Sequence, residues 1–185
     1  MKNELIACAA VLLASPIALA QTASDPNSAT HPTSTASSSD AAFMTQLAEG
    51  DLAEADAGKL AAQKSNTAAV KEFGQAMARD HSRNGNDLKA IAASRGVMLP
   101  TSVTAQHADA KTRLESLSGA NFDREYANGQ VQAHEKTVKL LQDEIINGQD
   151  QAVKDFATQT LQVVNQHLDE ARQLQAAVSN EVASK

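Results

Sequence analysis

Four long segments of this chain repeat apolar residues at every third, fourth and seventh position, and each carries one ionisable residue in the middle of that stripe. The four residues are Glu54, His81, His134 and His167. Burying such a group without a partner costs several kcal/mol. A bundle that places four of them at one depth therefore implies that something inside satisfies them.

The stripes define the expected helices. Helix one covers about 41–64 and repeats Phe43, Leu47, Gly50, Glu54, Ala57 and Ala61 on one face, with Asp40 as its expected N-cap. Helix two reaches about residue 95 with Val70, Met77, His81, Leu88 and Ile91. Helix three, about 119–147, sets His134 with Tyr126, Val138, Leu141 and Ile145. Helix four extends to about residue 182 on Val153, Phe156, Thr160, Val164, His167, Ala171, Leu174 and Val178. Only 3% of the residues are aromatic and alanine is abundant, which suits closely packed helices better than sheets.

The connections set the topology. Ser65-Asn66-Thr67 and Asn147-Gly148-Gln149-Asp150 are short turns, so helices one and two form one antiparallel hairpin and helices three and four another. Between the hairpins, residues 96–118 form a long link with a helical segment of its own near 101–117. At helical rise that segment spans about 25 Å, enough with its extended flanks to run the length of the bundle. The expected fold is all-α: a ferritin-like four-helix bundle with a long helical crossover between helices two and three. Ala69-Val70-Lys71-Glu72-Phe73 and Ala152-Val153-Lys154-Asp155-Phe156, opening helices two and four, mark the hairpins as copies. That correspondence aligns Glu54 with His134 and His81 with His167.

Residues 1–20 read as a secretory signal peptide, with Lys2, an apolar run from Leu5 and the small-x-small Ala18-Leu19-Ala20. Residues 21–40, rich in Ser, Thr, Ala and Pro, read as a disordered linker in which His31 is incidental, leaving 41–182 as the domain. No further apolar run is long enough to span a membrane. Cys8, the sole cysteine, leaves with the signal; a lipoprotein anchor there lacks the apolar stretch it needs. The periplasm is the expected compartment, and no disulfide or thiolate ligand remains. A net charge of -6 argues against nucleic acid and anionic membranes as partners, while association with the outer membrane through another protein, and a homo-oligomer, are compatible with the sequence.

Three neutral imidazoles and one carboxylate satisfy a divalent cation, so Glu54, His81, His134 and His167 are the expected ligands of zinc, copper, iron or manganese. Asp80, Glu135 and Glu170 are second-tier candidates, able to accept the outer imidazole N–H or to add a ligand. Met77 is expected to be core filler rather than a copper ligand, and His107 to be exposed in the crossover. A buried hydrogen-bond network among the same residues is the competing reading.

The stretches around Ala53-Glu54 and Gly58-Lys59-Leu60-Ala61, from Val70 to His81, Leu99-Pro100, from Leu117 to Asp123, His134-Glu135-Lys136 and from Leu161 to His167 resemble the domain-of-unknown-function 4142 family. That resemblance implies an exported bacterial protein of the ferritin-like superfamily, a family in which many members are labelled outer membrane proteins. It does not supply a function. Di-iron ferritins use Glu-x-x-His pairs, whereas Ala78 and Val164 stand three residues before His81 and His167.

The leading functional expectation is a periplasmic protein that binds a divalent metal for buffering or envelope stress tolerance. One alternative is a non-metal structural or interaction module of the cell envelope. Another is a di-metal oxidase, which would need inward carboxylates such as Asp80 and Glu135. Nothing in the sequence requires an enzyme.

Overall fold

Ser37 starts the first helix: its backbone is extended and its side-chain hydroxyl accepts the Asp40 N–H at 3.1 Å. In the computed structural model, which describes residues 35–183, five helices follow: α1 Ser38–Lys64, α2 Ala68–Ser94, α3 Ala105–Ser116, α4 Gly119–Asn147 and α5 Gln151–Ala183. The expected signal peptide, the lipoprotein alternative at Cys8, His31 and most of the expected linker lie outside the described residues. The linker's last three residues are helical, because Ser37 takes the capping role expected of Asp40.

Asp40 has another task. Fully buried, its carboxylate accepts the Gln149 and Asp150 backbone N–H groups at 2.9 and 3.0 Å, clamping the α4–α5 turn. Asp123, near the start of α4, accepts the Ser65 and Thr67 hydroxyls of the α1–α2 turn at 2.6 and 2.7 Å. Each hairpin thus begins with an aspartate that holds the other hairpin's turn. Arg95, closing α2, forms a two-pronged pair with Asp150 at the start of α5, both bonds 3.0 Å long.

These clamps fix the directions. The start of α1 meets the end of α4, and the end of α2 meets the start of α5, so those neighbours are antiparallel. Packing is most extensive within the pairs α1–α2 and α4–α5. The chain is an all-α four-helix bundle whose two hairpins are joined by a long crossover carrying α3.

Two apolar clusters fill the interior. One gathers Val70, Phe73, Met77, Phe122, Tyr126, Leu168 and Leu174; the other gathers Phe43, Met44, Leu47, Leu88, Leu141, Val153 and Phe156. Every residue of the stripe expected on helix four is buried. The interior is not apolar throughout, however. Asp51, His81, Gln130, His134, Thr160 and His167 are buried too, and all lie in the middle stretches of their helices.

Candidate metal centre

α2 spans 68–94 and α5 spans 151–183, so His81 and His167 stand at their centres, and His134 lies one residue past the centre of α4. Helical packing therefore delivers three imidazoles to one level. Their ring centroids form a near-equilateral triangle with sides of 5.5, 5.6 and 5.6 Å. One ring nitrogen from each lies within 4.8 Å of the other two, and all three residues are buried. Bonds of about 2.0–2.1 Å to a tetrahedral ion set its nitrogens about 3.4 Å apart, a contraction within reach of small ring rotations.

The outer partners fix which nitrogens are free. His81 Nδ1 lies 2.9 Å from Asp51 Oδ1, and His134 Nδ1 lies 2.9 Å from the Gln130 carbonyl oxygen. Both acceptors require an N–H, so each imidazole donates there and, in its neutral form, keeps a lone pair on Nε2. His167 has the opposite orientation, with Nε2 facing Asp80 Oδ2 at 3.5 Å. The nitrogens left over, His81 Nε2, His134 Nε2 and His167 Nδ1, are buried and have no hydrogen-bond partner. An orphaned buried polar atom costs about 1–3 kcal/mol. Three in one place match what a metal would satisfy.

Asp51 is held from two sides. Besides His81, Asn84 Nδ2 donates to its Oδ2 at 2.8 Å, while Asn84 Oδ1 accepts the Thr160 hydroxyl at 3.0 Å. The Thr160–Asn84–Asp51–His81 chain links α5, α2 and α1 and fixes the His81 ring.

Burial sets the electrostatics. It opposes charge on His81, but the Asp51 hydrogen bond and the nearby Glu54 outweigh it and raise that imidazole's pKa. Burial lowers His134, with Glu54 acting against it and His81 reinforcing it. His167 is pushed down to about 4, by burial first and then by His81 and His134. His134 and His167 are thus neutral imidazoles at neutral pH, and His81 is the one of the three drawn toward its charged form.

The expected ligands divide. His81, His134 and His167 come together. Glu54 is outside their group: half-buried, its Oε2 accepts from Gln130 Nε2 at 2.6 Å. The α1 residue that touches the triad is Asp51, three positions earlier, because α1 buries Met44, Ala48, Asp51, Ala55 and Gly58 rather than the face through Gly50, Glu54 and Ala57. Among the second-tier residues, Asp80 faces His167. Glu135 does not enter the site; it pairs with Arg172 at 3.0 Å on the surface. Glu170 likewise stays outside, accepting from Gln166 at 3.1 Å. Met77 is fully buried among apolar side chains. His107 is half-buried on α3 rather than exposed.

The signal for Asp51 was present in the repeat. His134 precedes Val153 by nineteen residues, and the residue nineteen before Val70 is Asp51, whereas Glu54 precedes it by sixteen. Asp51 is also the central residue of α1.

A family model described as Domain of unknown function (DUF4142) matches residues 25–174. The chain belongs to this family. The DUF4142 match takes in all three histidines and both clamp aspartates. Among solved structures, a crystal structure of a DUF305 fragment from Deinococcus radiodurans is similar, with a TM-score of 0.68 at 12% identity over 79% of this chain and 99% of that one. At that identity the likeness is one of fold. No curated protein matches the chain.

Proposed function

We propose that this DUF4142 protein holds one transition-metal ion at the centre of its bundle, on His81 Nε2, His134 Nε2 and His167 Nδ1. The observation that carries this reading is three buried histidines that bring one ring nitrogen each within 4.8 Å of the others, each ring having one partnerless nitrogen and the other turned toward an outer acceptor or carboxylate. Nitrogen-only donors suit zinc, copper, nickel or iron better than calcium or magnesium. Three protein ligands leave a fourth position for water or for Glu54, which would have to release Gln130 to reach it.

The role that fits is metal buffering or sequestration, with envelope stress tolerance as its physiological use. The signal-like residues 1–20 support action in the periplasm. Asp51, Asp80 and the Gln130 carbonyl would orient the ligands, and the apolar clusters on either side would shield the ion. A cleft of about 330 Å³ between α2 and α5, lined by His81 and His167, would give an ion its way in, and buffering needs no further chemistry at the open position. A di-metal oxidase is disfavoured because Glu135 and Glu170 lie outside the layer and Ala78 and Val164 replace the Glu-x-x-His carboxylates.

Native mass spectrometry and elemental analysis of protein from the periplasm test the reading. Wild type should carry close to one metal per chain, and a His81→Ala/His167→Ala variant should carry none. Equal metal in both would end the proposal in favour of a module whose interior polar groups serve only structure.

A further inference from the structure

On the other side of Glu54 and Gln130 from the triad, α1 and α4 part to form a cleft of about 710 Å³, over which α3 lies as a partial cover. Small-molecule sites are typically about 300–1,000 Å³. The cleft exists because its walls carry so little side chain: Gly50, Ala53 and Ala57 on α1, Gly129 and Ala133 on α4. A Cβ added at Gly50 or at Gly129 would meet nothing within 4 Å. α3 closes the top lightly, since Leu114 is its one buried residue.

Two polar groups at the floor have no partner. Tyr126 is 2% exposed and Gln130 3%, both line the cleft, and neither the Tyr126 hydroxyl nor Gln130 Oε1 is hydrogen-bonded. Burial, with Glu54 nearby, pushes the Tyr126 phenol well above its ordinary value, so it remains an O–H donor at neutral pH. Gln130 Oε1 is an acceptor, because the same amide donates through Nε2 to Glu54. A donor and an acceptor thus lie buried and unpartnered beneath the floor of the cleft, one helical turn apart on α4.

The charges argue for a neutral occupant. The walls hold three acids, Glu49, Glu54 and Glu125, against three bases, Lys111, Arg113 and Lys136. Part of this charge is already engaged: Arg113 pairs with Glu125 at 3.2 Å. A bound anion would lie against Glu54, and a bound cation would compete with the bases on the cover.

We infer that the cleft between α1 and α4 binds a neutral aromatic or alicyclic alcohol, whose hydroxyl accepts from Tyr126 and donates to Gln130 Oε1. A hydroxyl is the smallest group that answers both, as one O–H is at once donor and acceptor. The ring lies along the glycine- and alanine-lined walls under Leu114. This site is separate from the histidine triad and does not depend on its holding a metal.

The probe is 2-naphthol, titrated by its own fluorescence into the full chain, with naphthalene as the match lacking the hydroxyl. Wild type should bind 2-naphthol saturably at one per chain and naphthalene at least about tenfold more weakly. Tyr126→Phe should weaken 2-naphthol binding by about three- to tenfold. Gly129→Leu, which fills the cleft where the helix has room, should abolish binding while leaving helical circular dichroism and the metal content of the triad unchanged. As this chain's sole tyrosine, with no tryptophan, Tyr126 should also report occupancy by its emission when a non-absorbing alcohol such as borneol is added. Absence of saturable 2-naphthol binding up to its solubility, equal affinity for naphthalene, or unimpaired binding by folded Gly129→Leu would each overturn the inference.

Discussion

α1 uses glycine in opposite ways on its two flanks. Toward α2, Gly58 and Gly74 bring two backbones into contact: a Cβ at Gly58 would sit 2.5 Å from the Gly74 carbonyl oxygen and 2.7 Å from Ala78 N. Toward α4, Gly50 and Gly129 face open space. The same residue type closes one seam and leaves the other hollow. What decides is whether the opposite helix is near enough to need the missing Cβ, and the short α1–α2 turn and the long crossover settle that distance. The closed seam packs α2 against α1 behind Asp51, and the hollow seam leaves a cleft lined by Tyr126, Gln130 and Glu54.

The sharpest way to break this contrast is a side chain in the closed seam. Gly58→Leu cannot be absorbed, since the clashing atoms are backbone, and should cost about 3 kcal/mol or more in urea or thermal unfolding. A melt unchanged from wild type would mean the seam is not packed as described.

Asp51 lies on the closed flank and meets His81, so Asp51→Asn tests whether that seam serves the proposed metal site. Loss of a carboxylate that orients a histidine ligand should weaken metal binding by about 10- to 100-fold, read by chelator competition. Glu54→Gln, on the hollow flank, should change it less; the reverse order would make Glu54 the residue that matters to the ion.

A third test concerns the end of α1, where Asp40 clamps the α4–α5 turn. Burial, followed by the charge and hydrogen bond of Asp40, raises Glu144 to about 7. The folded chain therefore holds this proton more tightly than the unfolded chain, whose value is near 4.5. The resulting stability is fully present below about pH 4.5 and disappears as pH climbs through about 7. Relative to Glu144→Gln, wild type should lose on the order of 2 kcal/mol across that window, measured by urea unfolding at several pH values. Parallel curves for the two proteins would remove Glu144 from the account.

The smallest effect belongs to the hollow seam. Gly129→Ala adds a methyl group where nothing obstructs it and should stabilise the helix by about 0.5–1 kcal/mol. Destabilisation there would show that the seam closes in solution.

Legibility in the sequence followed side-chain size. On α5, the stripe from Val153 to Val178 is marked by large apolar residues, and every residue expected to be buried is buried. The three histidines were found because they interrupt stripes of that kind. α1 offers alanine and glycine on more than one face, so its periodicity does not single out an inward side. The pattern reads through Gly50, Glu54 and Ala57, whereas the folded helix buries Asp51, Ala55 and Gly58. Asp40 had the composition of an N-cap, but its partners lie 109 and 110 residues away, beyond what local pattern can register.

The sequence by itself determined the number and order of the helices, the two hairpins, and the placing of three imidazoles at mid-helix, because large residues at helical spacing leave few ways to bury an apolar face. Only the tertiary structure decided that Asp51 rather than Glu54 meets the triad and that α1 and α4 stand apart. Those outcomes depend on distances between helices, which small residues permit without specifying.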